Sequence, residues 1–414
     1  MSSASNILAS RNPAPAPFVP PLLRRYREVR ALSAAIAAPL SAEDCCVQSM
    51  PDASPIKWHL AHTTWFFERM VLGDRPGYAP FDARYDALFN SYYLALGTPF
   101  ARPRRGLLSR PGLDEIGAWR AHVDAAMAEA IGDPACRDRV MLGIHHEQQH
   151  QELMLTDIKH AFWCNPLLPA YRPRAPFATA AAGAAEWIGH EGGIVPVGHA
   201  DDGFAFDNEM PRHDVLLRPF RIAARPVTCG EFQAFIDDGG YRRSELWLSD
   251  GWALGLERPL YWLDADRLFT LAGPSPIDPA EPVAHVSFYE AAAFAVWAGK
   301  RLATEQEWEA AARREPAAGN FLDLDVLAPR AASRGGGLFG DVWTWTRSAY
   351  DPYPGFRPFD GALAEYSGKF MTGQMVLRGG SCATPEGHVR ASYRNFFPPA
   401  ARWQFSGIRL AEDA

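Results

Sequence analysis

The chain has 414 residues, 48% of them hydrophobic and 21% charged, with a formal net charge of −7. That length makes two domains the natural expectation, and the apolar content is ample for packed cores. The acidic balance argues against nucleic acid or an anionic membrane as the main partner, and there is no run of about 18 apolar residues to span a bilayer. Cys45, Cys46, Cys136, Cys164, Cys229 and Cys382 form no CxxC pair and no regular framework. Reduced thiols in a cytoplasmic protein are therefore expected.

Residues 1–20 are rich in Ser, Ala and Pro without a continuous apolar stretch, so they read as a disordered leader rather than a signal peptide. Helical spacing of apolar residues then predicts helices over 22–38, 58–72, 114–131 and 137–163, with Pro55 opening the second. Between the second and third lies a long irregular excursion, 73–110. It holds Asn90-Ser91-Tyr92-Tyr93 and an arginine cluster, Arg102, Arg104 and Arg105. Loops of that length are usually functional or disordered. Four helices make residues 21–165 a candidate bundle.

A Pro- and Ala-rich run over 166–185 reads as a linker. After it the character changes, and residues 186–414 read as an irregular α+β domain. Strands are expected at 194–197, 215–217 and 376–378, and helices at 229–237, 289–298 and 305–313. Thr304 is the expected N-cap of the last helix, with Glu307 completing a capping box.

The chemistry concentrates in the fourth helix. His146 and His150 are four residues apart, so both imidazoles share one helix face. Leu142 and Met154 continue that stripe and turn it towards a bundle interior. On the second helix His62 shares a face with Trp58, Trp65 and Phe66, while His59 lies one turn away and is not excluded by periodicity. Core histidines without a ligand are the plain alternative. Three imidazoles leave metal positions open, whereas a closed zinc site takes four protein ligands, usually including Cys. Imidazole suits Zn, Fe, Cu and Ni alike. The tyrosine pair tilts the choice towards redox-active iron, with ordinary loop packing as its alternative.

Leu60-Ala61-His62 followed by His146-Glu147-Gln148-Gln149-His150-Gln151-Glu152 resembles the iron-binding pattern of ergothioneine-pathway sulfoxide synthases. Trp247-Leu248-Ser249-Asp250-Gly251-Trp252, Gly340-Asp341-Val342-Trp343 and Arg378-Gly379-Gly380-Ser381 resemble the formylglycine-generating-enzyme (sulfatase-modifying-factor) domain, a C-type-lectin-like fold. The resemblance covers roughly residues 22 to 412. It implies a DinB-like four-helix bundle fused to that domain, with the active site between them. It also implies Fe(II)- and O2-dependent joining of a thiol sulfur to the imidazole of hercynine, with oxidation of that sulfur to a sulfoxide.

Carried over, the resemblance makes His62, His146 and His150 the iron ligands. Gln149, Asn395 and Phe396 become contacts of the betaine, the last by cation–π attraction. γ-Glutamylcysteine-using members carry an aspartate where this chain has Phe397. The loop with Tyr92 and Tyr93 resembles instead the subgroup that takes free cysteine. Tyr92 and Tyr93 are then proton donor and site organiser, in an order left open, with Tyr366 a lesser candidate. Arg102 and Arg105 are assigned to the donor carboxylate, the alternative being a solvated basic loop. Small-molecule substrates are the expected partners. The rival readings are the same reaction with γ-glutamylcysteine, histidine or a selenium donor, a metal-dependent DinB-like thiol transferase, and a binding module.

Overall fold

Five helices build the first half: α1 (Pro21–Ala37), α2 (Ile56–Phe67), α3 (Tyr85–Phe89), α4 (Leu113–Ala130) and α5 (Arg137–Cys164). They come from a computed structural model that describes residues 20–173, 183, 185–200, 203–331 and 337–414. All but the last residue of the expected leader, and residues 174–182 and 184 of the expected linker, lie outside the described residues.

The four long helices match the expected ones, with two differences. α2 begins two residues earlier, directly after Pro55, and its last expected turn widens into a π-helical turn over Glu68–Leu72. The excursion after it is not structureless. It contains α3 and a 3-10 turn at Arg102–Leu107. Glu68 ties its start to the bundle by accepting from the Tyr78 hydroxyl (2.6 Å) and the Phe81 amide (3.1 Å). α2 and α5 approach closely because Gly143 has no side chain, and a Cβ there would meet the Phe67 ring at 2.4 Å.

One buried carboxylate knits the bundle. Glu147 on α5 is fully buried and receives Arg30 of α1 at 3.0 Å and Arg120 of α4 at 3.1 Å. Arg30 also donates to Thr64 of α2 (3.1 Å), and Arg120 to the Leu60 carbonyl (3.1 Å). Burial alone would raise the Glu147 pKa, but the two guanidiniums hold it down, to about 2.

The second half carries two four-stranded sheets. One orders Trp187–His190, Phe220–Ala223, Leu410–Asp413 and Arg301–Leu302, and the other Asn395–Phe397, Met375–Arg378, Trp343–Ala349 and Ser406–Gly407. Hairpins pair Gly193–Val197 with His213–Leu217 and Arg267–Thr270 with Gly273–Pro276. The expected strands and helices are present within one or two residues, including helices Cys229–Asp237, Phe288–Trp297 and Glu305–Ala312. Each of these three starts with a capping box: Thr228 with Glu231, Ser287 with Glu290, and the expected Thr304 with Glu307. The fold class expected from the sequence, a helical bundle followed by an irregular α+β domain, is the one observed. The six cysteines are all free, and among the described residues no helix is long and apolar enough to cross a membrane.

α5 also joins the halves. Glu152 accepts from Trp343 Nε1 (2.7 Å), Ser381 Oγ (2.6 Å) and Thr384 Oγ1 (2.7 Å) of the second half. Further along, Lys159 Nζ meets His285 Nε2 at 2.6 Å. Tyr171, just before the undescribed stretch, donates to the Ile36 carbonyl (2.7 Å), while its amide bonds the Leu271 carbonyl (2.8 Å).

Glu147→Ala strands two buried guanidiniums and is expected to cost about 3–5 kcal/mol in urea denaturation. Glu147→Gln, which keeps an acceptor, should lose less. A loss below about 1 kcal/mol for Glu147→Ala would show that water compensates the arginines.

Candidate metal centre and interdomain cleft

The three histidines named from the sequence meet. Their ligand nitrogens all lie within 4.8 Å of one another. His62 comes from the middle of α2, and His146 and His150 from successive turns of α5. The His62 ring is stacked between Trp58 (4.6 Å) and Trp65 (5.5 Å), both at 13° to its plane. The aromatic face of α2 therefore sets the ring orientation.

The hydrogen bonds fit a metal. His62 Nδ1 donates to the Phe89 carbonyl at 2.6 Å, which leaves Nε2 as a bare lone pair. That Nε2 faces His146 Nε2 at 3.2 Å, while His146 Nδ1 is buried with no hydrogen-bond partner. One proton between the two rings satisfies neither fully, whereas a cation bound by both Nε2 atoms removes the conflict. All three groups are held neutral. Burial pushes the His62 and His150 pKa values well down, helped by the neighbouring imidazoles, and burial lowers His146 to about 3. Neutral imidazole is the form that ligates.

The centre opens into a cleft of about 480 Å³ between the bundle and the second half. Gln149, Tyr92, Arg102, Arg105, Asn395, Phe396 and Phe397 all line it. Gln149 is held from the far side. Its amide nitrogen donates to the Tyr393 hydroxyl (2.9 Å), and its oxygen accepts from the Tyr366 hydroxyl (2.6 Å). Asn395 and Phe396 sit on a strand of the second sheet, with Asn395 opposite Leu377. One face of the Phe396 ring is stacked on Tyr350 at 4.0 Å.

Two expected pairs separate here. Tyr93 is fully buried behind Tyr92, its ring stacked 4.6 Å away, and the phenol of Tyr92 is the neighbour of its hydroxyl. Tyr92 reaches the cleft, and the second half clamps its loop. Lys369 bonds the Tyr92 carbonyl, and Glu365 accepts from the Ala95 amide at 2.9 Å. Burial pushes both phenols well above their ordinary pKa. The arginines differ as well. Arg102 is exposed and bonded to the Asp52 carbonyl. Arg105 is buried with its guanidinium 3.4 Å from the centre of the Trp58 ring, and it donates only to Ser54 Oγ (3.0 Å) and Ser91 Oγ (2.9 Å). No carboxylate pairs with it among the described residues. Burial and the adjacent Arg102 lower its pKa to about 8. A buried cation without an anion is a ready site for a ligand carboxylate.

The structure also brings in residues that helical spacing did not single out. Tyr366 packs against the centre, its ring 6.0 Å from that of His146, and His388 and Glu152 line the cleft. Tyr366 and His388 gave a weak signal because each lies more than 200 residues from the helix it approaches, and Glu152 because its partners Trp343, Ser381 and Thr384 lie about as far away.

In the metal-free protein, His62, His146 and His150 take up protons less readily folded than unfolded, where the ordinary value is about 6.5. Between the folded values and about 6.5 the unfolded chain binds more protons, so stability is full above that window and falls as pH drops through it. The urea midpoint should decline from pH 7 to pH 5, and less steeply in His146→Gln. Equal slopes would show that folding leaves the His146 pKa unshifted.

Sequence comparison finds relatives of this chain among known proteins. Residues 25–154 match the DinB superfamily, and residues 176–334 and 336–414 match the sulfatase-modifying factor enzyme 1-like domain. The chain is 36% identical over 402 residues to hercynine oxygenase of Mycolicibacterium thermoresistibile, covering 88% of each protein. It is 36% identical over 412 residues to hercynine oxygenase of Mycobacterium tuberculosis, covering 90% of this chain and 94% of that protein. A formylglycine-generating enzyme of Streptomyces coelicolor is 30% identical over 285 residues, covering 54% of this chain and 88% of that enzyme.

Proposed function

The chain belongs to the hercynine oxygenase family, and on that premise we propose that it joins the sulfur of L-cysteine to the imidazole of hercynine, using Fe(II) and O2. The product is hercynylcysteine sulfoxide. One oxygen atom goes to sulfur. The other leaves as water with the hydrogens released from the thiol and the imidazole carbon. The observation that carries this reading is the set of three neutral imidazoles at the end of a cleft of about 480 Å³, a volume within the range of small-molecule sites. The six free cysteines fit a cytoplasmic setting.

His62, His146 and His150 would hold the iron, which supplies dioxygen chemistry and acidifies a thiol bound beside it. The protein's own groups do the rest. Arg105, buried and without an anionic partner, receives the cysteine carboxylate, and Arg102 at the rim adds positive charge. Gln149, fixed by Tyr366 and Tyr393, orients the betaine. Asn395 and Phe396 face its carboxylate and trimethylammonium end. Phe397 and Trp403, packed edge-to-face at 5.4 Å, keep that wall apolar, which disfavours the extra amine and carboxylate of γ-glutamylcysteine. Tyr92 is the proton donor in the cleft, and Tyr93 holds its ring from behind.

The test is anaerobic reconstitution with iron(II), followed by O2 uptake and product mass with hercynine and either cysteine or γ-glutamylcysteine. Sulfoxide from cysteine is expected, and no product from either donor would sink the reading. Tyr92→Phe should divert product towards cysteine sulfinate, whereas Tyr93→Phe should change the ratio little. Arg105→Met removes charge-assisted hydrogen bonds of about 1.5–3 kcal/mol, so KM for cysteine should rise roughly ten- to hundredfold with hercynine KM nearly unchanged.

A further inference from the structure

His59 has no part in the ligand set, yet it is 2% exposed and sits directly behind a ligand. Its Nδ1 is 2.8 Å from His150 Nδ1, and its Nε2 is 3.0 Å from Asp157 Oδ2. Asp157, 4% exposed, accepts on the same oxygen from the Ser54 amide at 2.8 Å, and among the described residues no arginine or lysine forms an ion pair with it. With His59 neutral, the donors and acceptors in this line have one consistent assignment. A carboxylate only accepts, so His59 Nε2 carries a proton and donates to Asp157. His59 Nδ1 is then an acceptor, and His150 Nδ1–H must donate to it. That leaves His150 Nε2 as the lone pair aimed at His62 and His146.

The same argument removes His59 from the ligand set, because both its nitrogens are spent. It also separates the three rings. His62 is oriented by a backbone carbonyl, His146 by nothing at Nδ1, and His150 by a second imidazole backed by a buried carboxylate. The placement is built into the two helices. α2 supplies ligand His62 and, three residues earlier, the orienting His59. α5 supplies ligand His150 and, two turns later, Asp157.

We propose that His59 and Asp157 are positioning residues of the metal centre: a carboxylate–imidazole line that fixes the tautomer of His150 and raises its donor strength. Ligating histidines generally donate their second N–H to such a partner, and losing it weakens metal binding about 10–100-fold. Here the carboxylate acts through an intervening ring, so one negative charge lies near the cation without occupying a coordination position open to substrates. The inference rests on the three-histidine metal site of the proposed function.

The test is an anaerobic titration of Co(II), which reports both affinity and, through its visible absorption, ligand geometry. Wild type should bind one ion per chain, and His62→Ala should not. His59→Leu, which offers His150 no acceptor, should bind about 10–100-fold more weakly with an altered spectrum. His59→Gln restores an acceptor for His150 and a donor for Asp157, and should recover most of the affinity and the wild-type spectrum. Asp157→Asn should fall between. Thermal melts of the metal-free variants accompany each titration. Wild-type affinity and spectrum in His59→Leu would overturn the proposal. So would equal weakening in His59→Leu and His59→Gln, which marks a packing role. A wild type that binds no ion, or a His62→Ala variant that binds like wild type, would overturn the metal site itself, an outcome distinct from both.

Discussion

The ion triad of Glu147 with Arg30 and Arg120 decides how α5 is rotated in the bundle. Glu147 is adjacent to His146 in sequence, so its side chain projects about 100° around the helix from that ligand. Pinning it between α1 and α4 forces His146 and His150 towards α2, where His62 waits. A buried ion pair gives uncertain net stability, because desolvation offsets much of the attraction. Its clearer effect here is orientational. Any rotation of α5 breaks two charge-assisted hydrogen bonds in a region without water-facing alternatives.

α5 then carries three functions in succession along its length. Its early turns hold Glu147 and His146. Gln149, His150 and Glu152 follow, facing the cleft, the other two histidines and the second half respectively. Its later part bears Asp157 and Lys159, which reach back to α2 and across to His285. The cleft lies where the bundle and the second half meet along this helix. Ser54 shows how close the coupling is. Its amide bonds Asp157 behind the ligand His150, and its hydroxyl takes Arg105 in the cleft.

Much of this was legible in advance. Helical periodicity located the four long helices because their buried faces are wide and apolar. The i,i+4 histidines were visible because the spacing is local, and the capping box at Thr304 because it spans only four residues. Other features escaped because they depend on distant neighbours. Arg102 and Arg105 look alike in sequence, yet one is exposed and the other stacks on Trp58. Tyr92 and Tyr93 are adjacent, but the chain turns so that one hydroxyl is sealed and the other ring lines the cleft. No pattern tied His59 to Asp157, 98 residues away.

The sequence by itself determined the four long helices, the change of character between the two halves and the shared face of His146 and His150, since each depends on periodicity, composition or spacing within a few turns. The tertiary structure decided which of the adjacent tyrosines and arginines reach the cleft. It also decided which nitrogen of each histidine is free. Those choices rest on burial and on hydrogen bonds between segments tens to hundreds of residues apart, which no local pattern encodes.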